Sequence, residues 1–85
     1  MEAAPFYSEI ADAPADVTAH WIHADDGVRL RVASWMADRS GKGTVLMLPG
    51  RTEFIETFGR TVTEFGTLGY SSIVIDWRGH GLSDR

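Results

Sequence analysis

The sequence predicts an α/β fold that opens with an antiparallel hairpin and continues as a parallel β-α-β unit. Three observations predict it. Residues Val28 to Met36 alternate apolar and polar with period two, as a strand with one buried face does. Thr44 to Leu48 and Ser72 to Ile75 are near-continuous apolar runs, the pattern of parallel strands covered on both sides. Between these runs Phe54, Phe58, Val62 and Phe65 recur at helical spacing, with Ile55 beside them.

Taken in order, residues 1–17 are rich in Ala, Pro and Asp and lack sustained periodicity. They read as an extended arm with Phe6, Tyr7 and Ile10 as candidate anchors. Residues 18–85 hold the predicted elements. Thr18 to His23 is a short strand, and Ala24-Asp25-Asp26-Gly27 is a turn in which Gly27 is free to take a positive φ. In the next strand Val28, Leu30, Val32 and Met36 share one face, and Arg29 and Arg31 the other. That is the expected look of a sheet edge with one polar side. Ala37 to Gly43 is a polar loop.

The predicted helix runs from Glu53 to Leu68. Glu53 and Glu56 lie in its first turn, where the dipole favours acids. Gly69 is placed as a C-cap, while Gly59 and Gly66 each weaken the helix by about 1 kcal/mol relative to Ala. The crossover between the two parallel strands is expected to be right-handed. After Ile75 comes a glycine-rich loop, Asp76 to Arg85. One helix cannot cover both faces of the parallel strands, so the chain reads as the start of a larger α/β domain, cut short.

Bulk properties narrow the function. At 85 residues there is room for one small domain at most. A hydrophobic share of 44% excludes a disordered polar tail. The absence of cysteine excludes disulfides, thiolate metal sites and a thiol nucleophile, and fits a reducing, cytoplasmic setting. The net charge of −4, with arginines scattered among acids, excludes a nucleic-acid surface. The acidic N-terminus has no basic or long apolar segment, so it is no secretory signal. No run approaches the roughly 20 apolar residues of a membrane span; any membrane association is expected to be peripheral.

The stretch Leu48-Pro49-Gly50-Arg51-Thr52-Glu53-Phe54 is the main candidate site. As a phosphate loop it lacks the Gly-x-x-x-x-Gly-Lys-Ser/Thr and Gly-x-Gly-x-x-Gly patterns. Asp76 ends the following strand, where a ribose-binding acid stands in a nucleotide-binding unit, and keeps that alternative open. As an oxyanion loop the stretch fits differently. A strand ending at Pro49-Gly50 just before a helix leaves backbone N–H groups free, and two such donors stabilise a developing oxyanion. Gly50 admits close approach, and Arg51 would give its backbone N–H. From the local residues alone, an ordinary strand-to-helix turn is the favoured explanation of Pro-Gly.

Other residues are weaker candidates. Glycines around His80 set a tight turn, held by Arg78 and Asp84 hydrogen bonds, and a catalytic or anion-binding role for Arg78 or His80 is the lesser reading. Ser83 lacks the Gly-x-Ser-x-Gly context of an activated serine, and Ser71 and Ser72 sit at a strand entrance. His20 and His23, three apart on a strand, point to opposite faces and make no metal pair. Trp21, Trp35 and Trp77 are packing residues. No metal or organic cofactor is expected.

Four segments together resemble the α/β-hydrolase superfamily, in particular its monoacylglycerol lipase and lysophospholipase branch of serine aminopeptidase-like enzymes. They are APFYSEIADAPAD, ADDGVRLRVASW, LPGRTEFIETFGR and IDWRGHGLSDR, the last matching Asp-x-Arg-Gly-x-Gly-x-Ser. The resemblance covers nearly the whole chain and implies its N-terminal third or so. It implies an ester-cleaving serine hydrolase acting on a lysophospholipid or monoacylglycerol. Arg51, after Gly50, would donate one oxyanion-hole N–H. Many relatives have His-Gly where this chain has Pro49-Gly50; Pro-Gly-Arg is common in the lysophospholipase-like branch. The triad, with its Gly-x-Ser-x-Gly elbow, is expected beyond Arg85, so no catalytic residue falls in this chain and the isolated segment is expected to be inactive. A nucleotide-binding fragment and a non-catalytic interaction module are the alternatives. An uncovered apolar sheet face would make the segment self-associate.

Overall fold

The computed structural model describes residues 2–37, 41–50 and 52–84. A short helix α1 (Ser8–Ala11) precedes strands β1 (Val17–His23) and β2 (Arg29–Trp35). Strand β3 (Gly43–Met47) follows, then a 3-10 turn (Ile55–Phe58) that runs into helix α2 (Gly59–Thr67), then β4 (Tyr70–Ile75). The four strands form one mixed sheet in the order β1-β2-β4-β3. The hairpin and the β3–β4 pair are antiparallel and parallel respectively, as the sequence predicts. Strand β4 also pairs antiparallel with β2, so it joins the hairpin to the parallel pair. At the hairpin turn Gly27 has φ 84°, in the region that favours glycine.

Directly opposed residues share a face of the sheet. Ala33, Trp35, Val74 and Met47 lie on one face and pack against Ile55 and Val62 to form the buried core. Arg31 lies on that same face by alternation and is 1% exposed. This corrects the expected polar side of β2: the face carrying Arg31 is the core face, and the one with Leu30 and Val32 faces away from the helices. Alternation alone is symmetric and cannot say which side the helix covers. On the far face Leu46 is 61% exposed, while Leu30, Ile73 and Ile75 are half-buried.

The predicted helix is shorter and in two parts. Phe54 is extended, at φ −142° and ψ 173°, so Glu53 and Phe54 precede the helical turns. The first turn is 3-10 because its groups are held by partners elsewhere. The Ile55 N–H donates to the Asp76 carboxylate at 2.8 Å, and Glu56 turns inward to Arg31. The helix ends with Gly69 at φ 93°, as its C-cap placement predicts.

The arm is tied along its length. Ala4 N–H donates to the Ala19 carbonyl, and Trp21 N–H to that of Glu2, at 3.0 and 2.9 Å. Phe6 meets Trp35 edge to face with ring centroids 5.6 Å apart. Of the expected anchors, Phe6 packs on the core, but Tyr7 and Ile10 are 44% and 62% exposed. Tyr7 anchors through its backbone, donating its N–H to Glu56 at 2.9 Å.

Candidate functional site

Because β3 and β4 are parallel neighbours, the segments leaving their C-terminal ends lie side by side. The loop after β3 holds Pro49 and Gly50; the loop after β4 runs from Asp76 to Asp84. Two consecutive residues of the second loop grip the first at both ends. The Trp77 indole N–H donates to the Pro49 carbonyl at 2.7 Å. The Asp76 carboxylate accepts from Ile55 N–H. Within the first loop, Glu53 folds back, its carboxylate accepting the Gly50 N–H at 2.6 Å while its own N–H donates to the Gly50 carbonyl at 3.2 Å.

Beneath the loops lies a buried ionic cluster. Arg31 donates Nε to Asp76 at 2.8 Å and its two terminal nitrogens to Glu56 at 2.7 and 2.6 Å. It also reaches the Pro5 carbonyl at 3.0 Å. All three side chains are at most 2% exposed. Such a cluster is tolerable only because every charge is paired and further hydrogen-bonded. Burial alone would raise the Glu56 carboxyl, but the Arg31 hydrogen bonds and the Tyr7 N–H outweigh it and hold the group below its ordinary value. Burial likewise opposes the Arg31 charge, and the two carboxylates more than offset it.

Asp76 is saturated: one oxygen takes Ile55 N–H, the other takes Arg31 Nε and Leu82 N–H at 3.0 Å. At 0% exposure it cannot meet a ribose, which removes the support for the nucleotide-binding alternative. Gly81, at φ 53°, passes directly over this carboxylate, leaving no room for a side chain. Ser83 is structural too, its hydroxyl accepting Arg31 N–H and donating to the Asp76 carbonyl, both at 2.8 Å.

Arg78 and Asp84 do hold the second loop, each to the hairpin. Arg78 pairs with Asp26 at 2.8 Å and Asp84 with Arg29 at 2.9 Å, and these hydrogen bonds lower both carboxyls. Arg29 in turn lies over the Trp21 ring at 4.3 Å. His80 closes a turn, with Nδ1 3.0 Å from the Arg78 carbonyl oxygen. Trp35 and Trp21 pack, but Trp77 is 41% exposed and acts through its N–H. Of the two expected oxyanion-loop residues, Gly50 is exposed at the loop, and Arg51 lies outside the described residues.

No set of three or more metal-ligating side chains gathers among the described residues. A cleft of about 190 Å³ lined by Pro14, Trp35, Val62 and Tyr70 opens at the opposite end of the sheet, away from these loops. Sequence reasoning missed the Arg31–Glu56–Asp76 cluster. The available signal was an arginine alternating with Ala33 and Trp35 rather than with polar residues.

No protein-family model matches the sequence, and no curated protein matches it either. Solved structures do. A soluble variant of monoglyceride lipase from Saccharomyces cerevisiae, in complex with a substrate analog, superposes with a TM-score of 0.73 at 23% identity, over 87% of this chain and 25% of that one. A probable hydrolytic enzyme from Pseudomonas aeruginosa matches at 0.65 and 24% identity, over 95% of this chain and 27% of that one. An α/β hydrolase from a Penicillium species matches at 0.63 and 20% identity, over 80% and 24%. The chain thus spans about a quarter of the length of the structures it matches. At these identities the likeness is one of fold, and the fold of this chain is that of part of an α/β hydrolase.

Proposed function

We propose that this chain is the N-terminal part of a serine hydrolase that cleaves carboxylic esters, and that its Pro49-Gly50-Arg51 loop lends one backbone N–H to the oxyanion hole. The observation that carries the reading is the anchoring of the Pro49–Gly50 loop. It leaves a parallel strand at its C-terminal end, is exposed at Gly50, and is gripped from the neighbouring loop by Trp77. Ester cleavage builds charge on the carbonyl oxygen, and a fixed N–H donor is worth most where it does not have to reorganise. The Gly50 N–H is engaged by Glu53, so the next N–H along the chain, that of Arg51, is the donor in this reading.

The nucleophile in this reading is a serine in a Gly-x-Ser-x-Gly turn, a pattern these 85 residues do not contain. The serine attacks the acyl carbonyl with histidine as base, the alcohol leaves with that proton as the acyl-enzyme forms, and water then releases the carboxylic acid. A monoacylglycerol or lysophospholipid is the proposed substrate; the likeness to a monoglyceride lipase supports that class. The enzyme is proposed to be cytoplasmic and at most peripheral to a membrane; no described helix is long and apolar enough to cross one.

The test is hydrolysis of monoacylglycerol and lysophospholipid by the polypeptide that carries this segment, with and without a serine-directed fluorophosphonate. Cleavage blocked by the reagent is expected, with none by the 85-residue segment alone. An inert full polypeptide, or a segment that cleaves esters by itself through a phosphonate-sensitive serine, would overturn the reading.

A further inference from the structure

We propose that Trp77 and Glu53 are positioning residues that together lock one peptide group, Pro49–Gly50, and thereby aim the loop that follows. The proposal rests on the reading of that loop as an oxyanion loop. The two hydrogen bonds are unusual in their target. The Trp77 indole N–H donates to the Pro49 carbonyl, and the Gly50 N–H donates to the Glu53 carboxylate. That carbonyl and that N–H are the two polar ends of a single planar unit. Holding both ends fixes the rotation of the plane, which holding one end does not.

The distances of 2.7 and 2.6 Å are at the short end for hydrogen bonds to nitrogen donors, and one acceptor is charged. A third bond, from Glu53 N–H to the Gly50 carbonyl at 3.2 Å, ties Glu53 to Gly50 a second time. The two clamping residues come from different loops, so the lock forms only when β3 and β4 are paired. Both are solvent-accessible: Trp77 is 41% exposed and Glu53 is exposed too, so neither is there to fill the core. Gly50 also faces Glu53 closely, since a Cβ on Gly50 would lie 2.8 Å from the carboxylate oxygen. A side chain at position 50 would push the clamp open.

The mechanism predicts where the loss falls. Misaimed donors lower the rate of the chemical step and leave substrate binding in place, because the oxyanion forms only in the transition state. The experiment measures p-nitrophenyl butyrate hydrolysis by the full polypeptide carrying Trp77→Phe, Glu53→Ala or Glu53→Gln, together with melting curves. Trp77→Phe and Glu53→Ala are expected to lower kcat about 10- to 100-fold with KM within about twofold. Glu53→Gln keeps an acceptor oxygen and is expected to recover much of the rate. The double variant is expected to lose less than the product of the single losses, since either bond alone leaves the plane free.

Unchanged kcat in Trp77→Phe and Glu53→Ala, with an active parent, overturns the clamp and leaves the hydrolase reading standing. So does a kcat loss that follows a drop in melting temperature. A parent that cleaves no ester overturns the hydrolase reading and the positioning role with it. In that case the exchange rate of the Gly50 amide proton, compared between parent and Glu53→Ala, still reports whether the bond exists.

Discussion

Arg31 has five hydrogen-bonding hydrogens on its guanidinium and finds partners in Glu56, Asp76 and Pro5. A planar fork serves several acceptors at fixed angles; an ammonium cannot. Arg31→Lys keeps the charge yet is expected to destabilise the fold by about 3 to 5 kcal/mol, by leaving a buried carboxylate without its partner. Urea denaturation checks this, and a loss comparable to that of an exposed arginine would refute it. Glu56 gives a pH signature. Its folded-state pKa lies below its ordinary 4.5, so its contribution is complete above that value and is lost as pH falls through the folded value. The stability difference between the parent and Glu56→Gln is therefore expected to be largest near neutral pH and to shrink in acid, measured by melting temperature against pH.

At the scale of elements, the most demanding contact is between the arm and the start of α2. Gly59 lies directly against the Ala11 carbonyl, too close for any Cβ, and Asp12 leaves α1 at φ 49° to make the turn. Alanine is the better helix former, but here Gly59→Ala is expected to lower stability by about 1 to 3 kcal/mol, because α1 must back away. Chemical denaturation measures it, and a stabilised variant would show that the arm does not dock. The strands were legible because their signal is local: Val32, Met47 and Val74 are apolar in sequence and buried in space. The arm was not legible in the same way. Its bonds to Ala19, Trp21 and Glu56 are made by backbone groups, which every sequence possesses. The split of the helix was equally hidden, since it depends on Asp76, 21 residues away from Ile55.

For the molecule as a whole, the sheet is buried on one side. The helical elements and the arm supply that side, while on the other Leu46 is 61% exposed and Leu30, Ile73 and Ile75 are half-buried. An apolar sheet face of this kind is stable in water only when something lies on it. The 85-residue segment by itself is proposed to self-associate, with apparent mass rising with concentration in analytical ultracentrifugation. A sharp, cooperative melt from a strict monomer would speak against both that and the view of the chain as a portion of a larger α/β domain. That one face would be left uncovered by the helix was readable from sequence, because two apolar runs and one helix do not balance. The candidate site was readable only as a loop with a plausible neighbour. The contact between Trp77 and Pro49 is 28 residues long in sequence and has no local pattern.

The reach of Arg31 has a consequence for synthesis. Its carboxylate partners lie 25 and 45 residues further along the chain, and the hydroxyl that receives its backbone N–H lies 52 further. The hairpin is therefore made before Arg31, on the side that becomes its interior, has either carboxylate partner. At translation rates of about 5 to 20 residues per second, Asp76 follows Arg31 by about 2 to 9 seconds. Until then, burying that charge is unfavourable, because it would be desolvated without a carboxylate partner.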